Sequence, residues 1–412
     1  MNSSHNSKRK LLPFVPDVPY HIQLVFIFTF SYIWYKGFAD KNYLEDYASP
    51  EEELEVNRAN WWRAIYSCTL FLCAFNYLTP SSLDFFAPLQ RFWRVVSMLA
   101  LIYFCMVIVL LNHRPKYGRY LLGYLDPKLN QEVTKGHHTY DDDCEMTYEN
   151  LAANFDHYYL VHLGNWLLSS FVIRDFYLLH MWQILDEFIE LSWQHILPHF
   201  RECWWDHIGC DILLSNIPAI TFGLWLQKKI GLIPYDFWGS EGKKSIKDWT
   251  IWHCHKRFGI MCYIQGLLNI HFLTGFFLNN NLLIPPVHPF PILRLLLWFA
   301  LGSIGFREGY EDARTWGTPA RKYEPVEGRF RWLTVAILFT ESILCWKYRE
   351  GTGHINADAE TPFYIWFPWV GSFAAMLVYW VYLRFKPGHT VKYPPGTCRA
   401  DYKEYKLKIK AE

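Results

Sequence analysis

The sequence predicts an all-α polytopic membrane protein of about ten transmembrane helices with both termini in the cytosol. Three observations carry that expectation. Of the 412 residues, 51% are hydrophobic and 19% aromatic, more than soluble domains carry. The excess is gathered into about ten apolar runs of roughly 16 to 24 residues, each long enough to cross a hydrocarbon core about 30 Å thick as a helix. Lys and Arg, finally, collect in alternate loops between those runs. A soluble enzyme is excluded by the runs, and disorder by the aromatic content. Forty basic against 39 acidic residues leave no field to attract nucleic acid.

Residues 1–20 are polar and basic (Lys8, Arg9, Lys10) and are expected to be cytosolic. No small-residue cleavage site follows the first run, 21–38, which is therefore expected to stay as an anchor. The further spans expected are 61–79, 92–112, 158–173, 176–198, 207–226, 258–278, 288–305, 332–346 and 363–385, giving a membrane domain over 21–385 and a Lys-rich cytosolic tail over 386–412. One set of alternate loops holds Arg91 and Arg94, then Lys228, Lys229, Lys243, Lys244 and Lys247, then Arg307, Arg314, Arg321, Lys322, Arg329 and Arg331. The other set is acidic, with Glu51, Glu52, Glu53 and Glu55 in its first loop and Asp141-Asp142-Asp143 within 113–157. The basic side is the cytosolic one. No internal repeat supports an inverted-repeat transporter. The terminal Lys406-Leu-Lys408-Ile-Lys410-Ala-Glu412 resembles the Lys-x-Lys-x-x retrieval signal of endoplasmic-reticulum membrane proteins, the alternative being a basic tail drawn to anionic lipid.

Ten cysteines are present, and Cys68, Cys73, Cys105, Cys210, Cys262 and Cys345 fall inside apolar runs as small hydrophobes. No Cys-x-x-Cys zinc pair exists, and His253-Cys254-His255 lies on a cationic stretch where alternate residues seldom converge on a metal.

Ionisable residues inside spans are costly and mark function by default. Here they crowd between 156 and 216, as Asp156, His157, His162, Arg174, Asp175, Asp186, Glu187, Glu190, His195, His199, Glu202, Asp206, His207, Asp211 and Asn216. Glu187 and Glu190, three apart, share a helix face from which Asp186 points about 100° away. Glu202 and Asp206 are four apart at the mouth of the next span, with Asp211 and Asn216 deeper in it. Two such faces across a helical hairpin bring together Glu187, Glu190, Glu202 and Asp206 as oxygen ligands for a hard cation, and Ca²⁺ suits them better than octahedral Mg²⁺. Proton-relay carboxylates, or acids paired with His and Arg to hold the bundle, are the structural alternatives. His162 is either an interhelical hydrogen bonder or, beside a dication, a base able to deprotonate a hydroxyl.

The stretch Phe155-Asp156, His162-Leu-Gly-Asn-Trp166, Asp186-Glu187-Phe-Ile-Glu190, Leu197-Pro198-His199, Glu202-Cys203-Trp204-Trp205-Asp206 and Asp211 to Asn216 resembles the core of the base-exchange phosphatidylserine synthases. Weaker similarity extends through Tyr124-Leu-Asp-Pro127, Phe92-Trp93-Arg94, Arg257 and the Arg307 region. The resemblance, centred on 155–216, implies an endoplasmic-reticulum enzyme that replaces the choline or ethanolamine of a phospholipid with L-serine, using Ca²⁺ and no nucleotide. It implies essential roles for His162, Glu187, Glu190, Glu202, Asp206, Asp211 and Asn216, with His162 catalytic, the next four on the metal, and the active site near the lumenal side. Substrate contacts are expected from Asp211 and Asn216, and from Arg174, Arg257 or Arg307 as a cation for the serine carboxylate. The sequence leaves monomer and homodimer open. Two departures stand out: His199 replaces the family's asparagine, and Ala87-Pro88-Leu89-Gln90 replaces a sequence tied to product feedback.

A CDP-diacylglycerol-dependent transferase of the Asp-Gly motif family is disfavoured because the chain contains no Asp-Gly dipeptide. From another class, a Ca²⁺-conducting or Ca²⁺-sensing protein would use the acids as a filter or sensor, but nothing indicates the ring of subunits that a filter needs.

Overall fold

The computed structural model describes residues 20–78, 90–130, 143–153, 155, 157–197, 200–240, 244–285, 288–315, 329–349 and 360–385. The basic N-terminal segment, Ala87-Pro88-Leu89, Asp156, His199 and the Lys-rich tail with its retrieval-like end lie outside them. Among the described residues the chain forms helices and no strands, and a helix lies over each of the ten expected runs. Five stretches are long and apolar enough to cross a membrane, namely Val95–Asn112, Asp206–Lys229, His255–Asn281, Pro289–Tyr310 and Phe363–Phe385, and Tyr159–Ile173 is a shorter apolar helix. The protein is therefore an all-α, multi-pass membrane protein.

The chain divides into two compact units. The first, residues 1–130 and 339–347, holds α1 (Tyr20–Gly37), α2 (Pro50–Leu78), α3 (Gln90–Asn112) and α4 (Pro115–Leu125). α1, α2 and α3 pack mutually around Phe30, Phe71 and Phe104, and Gly37 lets α1 close on Leu111, whose Cγ a Cβ would meet at 2.6 Å. α2 starts eleven residues before the expected span, turning the anticipated acidic loop into helix. Ser49 Oγ accepts from Glu52 N at 3.2 Å and Glu52 Oε2 accepts from Ala48 N at 2.7 Å, a form of capping box. Glu51, Glu52 and Glu53 thus face the positive end of the helix dipole. The Arg114 guanidinium, 2.6 Å from Asp40, holds that carboxyl below the usual range although burial pushes it the other way.

The second unit, residues 131–338 and 348–412, holds α5 (Tyr148–Ala153), α6 (His157–Ile173), α7 (Phe176–Trp193), a π-helix (Asp206–Asn216) running into α8 (Ile217–Lys229), α9 (His255–Asn281) and α10 (Pro289–Thr315). α11 (Arg329–Lys347) is shared between the units, and α12 (Phe363–Phe385) packs on α9. α6 is central, touching α7, the π-helix, α8 and α10. Its seam with α8 is made of small residues: a Cβ on Gly223 would lie 1.9 Å from Ser170 Oγ, so only glycine allows this approach. Gln227 Nε2 donates to the same hydroxyl at 3.2 Å.

Candidate active site

The hairpin anticipated from the sequence is that of α7 with the π-helix, and before it α6 and α7 form another. Arg174 makes its turn with φ 52°, a strained value for a residue with a side chain, and Asp175 caps α7 by accepting from Leu178 N at 3.0 Å. Asp175 also accepts from Phe237 N at 2.8 Å, which pins the following loop to the turn. Burial pushes its carboxyl up to about 6 against these hydrogen bonds.

At the other end, residues 200–203 descend without regular structure into the π-helix. That helix alters the sequence-based geometry. An α-helix would splay residues five apart, but i→i+5 hydrogen bonding sets them near one face. Asp206, Asp211 and Asn216 are five apart in turn, and the π-helix aligns them. Pro218, at the start of α8, has no N–H for the carbonyl of Leu214, and Tyr159 Oη donates there instead at 3.0 Å.

The acids gather around a residue that received no role from the sequence. His207 Nδ1 lies 2.9 Å from Glu187 Oε2, 3.7 Å from Glu202 Oε2 and 3.9 Å from Glu190 Oε2. Two groups have donor atoms close enough to share an ion: Glu187, Glu190 and His207, and Glu202, His207 and Asp211. Asp206 is 6% exposed on the same π-helix and falls in neither group, so the expected α-helical pairing of Glu202 with Asp206 gives way to Glu202 with His207 and Asp211. Asp186, 2% exposed, has a buried Oδ1 without a hydrogen-bond partner. Burial pushes the Glu202 carboxyl up to about 7, with His207 pulling the other way. So many buried carboxylates beside one imidazole leave negative charge uncompensated. Oxygen donors in excess, their burial and the unpartnered Asp186 Oδ1 fit a hard divalent cation.

His162 stands on α6 beside this centre. Its Nε2 is 2.7 Å from Asn216 Oδ1, 3.7 Å from Asp211 Oδ1 and 3.2 Å from Trp166 Nε1. The bare nitrogen accepts from the Trp166 N–H, and the protonated nitrogen faces two oxygens. Both states of a proton acceptor are provided for. Trp166 is fully buried, its ring 4.9 Å from that of Trp182, which fixes the imidazole from below.

Two of the arginines suggested for serine, Arg174 and Arg257, are not brought here. Arg174 lies twelve residues along α6 from His162, about 18 Å of helix rise, where its Nε donates to Phe171 O and its guanidinium sits 5.3 Å from the Tyr235 ring centre. Arg257 Nη1 donates to Asp236 O at 2.8 Å.

A disulfide, Cys144–Cys203, adjoins the acidic centre, and its pairing went unread in the sequence. The signal was the position of both cysteines in polar segments between spans, whereas the six assigned to apolar runs are free thiols.

Helices that cross a membrane, with buried acids and a hydrogen-bonded histidine on adjoining faces, define a polytopic membrane enzyme. The family model described as phosphatidyl serine synthase matches residues 88–349, and the chain belongs to that family. It is 29% identical over 360 residues to CDP-diacylglycerol--serine O-phosphatidyltransferase 1 of Arabidopsis thaliana, covering 81% of each chain. Identity to phosphatidylserine synthase 2 of Homo sapiens is 28%, over 81% of this chain and 72% of the human one. A rice relative, CDP-diacylglycerol--serine O-phosphatidyltransferase 2 of Oryza sativa subsp. japonica, is 27% identical over 82% of both chains. The protein is thus an enzyme of phosphatidylserine formation.

Proposed function

We propose that the enzyme makes phosphatidylserine by base exchange, replacing the choline or ethanolamine headgroup of a phospholipid with L-serine in a Ca²⁺-dependent reaction in the endoplasmic-reticulum membrane. The observation that carries the proposal is the joining of two chemistries on the π-helix: Asp211 faces both the acidic group at Glu202 and the proton acceptor His162. Glu187, Glu190 and Glu202 would hold the cation, with Asp211 and His207 grouped among them and Asp206 beside them on the π-helix. When bound, Ca²⁺ neutralises charge that builds on the phosphodiester's non-bridging oxygens.

His162 Nε2 takes the proton from the serine hydroxyl as the oxygen attacks phosphorus, and the Asn216 and Asp211 oxygens stabilise the imidazolium. The proton then passes to the departing choline or ethanolamine oxygen. In the two-step alternative Nε2 attacks phosphorus and displaces the choline or ethanolamine oxygen, and serine then displaces the imidazole from the phosphatidyl-histidine. A neighbouring carboxyl such as Asp211 gives a proton to the departing alcohol and takes one back from serine. The acidic loop 113–157, which leads into α6 at its His162 end, supports an active site on the lumenal side.

The names of the plant relatives favour a second donor, CDP-diacylglycerol, for which the reaction would release CMP. The test is purified protein in liposomes of phosphatidylcholine or phosphatidylethanolamine with labelled serine and Ca²⁺. Labelled lipid with stoichiometric choline or ethanolamine release and no nucleotide supports exchange. Product only with CDP-diacylglycerol overturns it, and ion flux without lipid turnover would favour the channel alternative.

A further inference from the structure

Glu202 sits on the irregular strip between α7 and the π-helix, and Asp206 and His207 open that helix, so the strip decides whether the acids converge. The segment is fastened at Cys203. Its sulfur is bonded to Cys144, and its carbonyl accepts the backbone N–H of Asp206 at 2.9 Å and of His207 at 3.4 Å. Glu202 is its immediate neighbour. Trp205 Nε1 donates to the carbonyl of Cys144 at 3.2 Å, so the two strips of chain are tied twice. The far strip is itself held: the Asn150 amide, on α5, donates to the carbonyls of Asp143 at 3.4 Å and Glu145 at 2.9 Å. Cys203 is 1% exposed, whereas Cys144 is exposed and open to a reductant.

We infer that the Cys144–Cys203 disulfide is the positioning element of the acidic centre: intact, it holds Glu202, Asp206 and His207 in register with Glu187 and Glu190, and its reduction weakens cation binding. The inference rests on the cation-binding role proposed above. In the reduction a phosphine attacks one sulfur, the S–S bond breaks, and water supplies two protons to the thiols and the oxygen of the phosphine oxide. Loss of the tether leaves Phe200, packed on Phe272 and Phe276, at one end and the π-helix at the other, with the Trp205 hydrogen bond still tying the segment to the Cys144 strip. Groups that orient metal ligands change affinity by roughly 10–100-fold when removed.

The experiment uses the full chain in lipid nanodiscs and Tb³⁺ as a stand-in for Ca²⁺, excited through neighbouring tryptophans. Half-saturating Tb³⁺ and half-saturating Ca²⁺ for serine incorporation are read with the disulfide intact, after a phosphine reductant has been applied and removed, and in the double variant C144S/C203S. The expected result is a rise of roughly 10–100-fold in both values on reduction, the same rise in the double variant with no further effect of reductant, and turnover at saturating Ca²⁺ within a few-fold of the parent. A structural role alone would lower the amount of active protein and leave the half-saturation values in place. If the double variant does not fold, the single variant C144S decides, because a reductant also reaches the disulfide of Cys254. Half-saturation within twofold of the oxidised parent overturns this inference alone, and absence of Ca²⁺-displaceable Tb³⁺ binding in the parent overturns the cation-binding role and this inference with it.

Discussion

Glu187 Oε2 and His207 Nδ1 lie 2.9 Å apart, so an imidazole occupies the focus of the carboxylates that the sequence assigned to a metal. The two residues are twenty apart in sequence, and the approach of α7 to the π-helix brings them together. As a donor to one oxygen of Glu187, His207 fixes that carboxylate's rotation and leaves its other oxygen for a ligand.

His207→Ala is therefore expected to raise the Ca²⁺ concentration needed for serine incorporation by roughly 10–100-fold. His207→Asn, which keeps a short N–H donor, should recover much of the loss. A titration of activity against buffered Ca²⁺ checks both, and equal behaviour of Ala and Asn would remove the orienting role.

Stripping the protein with a chelator should abolish exchange, and adding back Ca²⁺ should restore it where Mg²⁺ does not, since the many flexible carboxylates suit the larger ion. Glu187, Glu190, Glu202 and Asp206, each changed to the amide, should weaken the Ca²⁺ dependence while leaving the protein in the membrane. Unchanged activation in all four would remove the site.

Orientation can be read without chemistry. A tag after Glu412 and a tag between 226 and 256 should both be reached from the cytosol, and a glycosylation acceptor placed near residue 140 should be modified, if the basic loops take the cytosolic side as the charge rule expects. Glycosylation within 226–256 would reverse the path.

Gly223→Ala tests the packing that seats α6. The added Cβ would stand 1.9 Å from Ser170 Oγ and 2.9 Å from Ser170 Cβ, neither of them the far end of a flexible chain. Overpacking of this kind costs about 1–3 kcal/mol, so the melting temperature in detergent should fall by several degrees. The swap S170G/G223A should return most of it.

Helix positions were legible because apolar length and loop charge report directly on the membrane, and all ten expected runs carry a helix. α7 shows where hydropathy stops helping, since Asp186, Glu187 and Glu190 place three acids in its 18 residues. The carboxylates were legible by their cost in such a place. What sequence spacing could not give was the π-helix: read with α periodicity, Glu202 pairs with Asp206, whereas the wider turn groups it with His207 and Asp211. Nor could it single out His207 from the other histidines of the stretch, because Glu187 reaches it only across two helices. The Cys144–Cys203 pairing needed the fold for the same reason, being 59 residues apart.

His162 divides a bundle-holding role from a chemical one. Its Nε2 bridges α6 to Asn216 at 2.7 Å, and an interhelical hydrogen bond of that kind is worth about 0.6 kcal/mol in a membrane. If that were all, His162→Gln would keep a donor and an acceptor, fold, and retain most of its exchange activity. As proton acceptor, the residue cannot be replaced by an amide, which has no basic nitrogen. The variant is then expected to fold, to bind Ca²⁺ with near-parent affinity, and to lose about 10² to 10⁴-fold in turnover. Asn216→Ala separates the two effects further. It removes the bridge and one oxygen facing the protonated imidazole but leaves Asp211 at 3.7 Å, so turnover should fall by less than in His162→Gln. Labelled-serine incorporation in liposomes at saturating Ca²⁺, measured across pH, decides the matter. Activity of His162→Gln within a few-fold of the parent would take the proton-transfer role away from this residue.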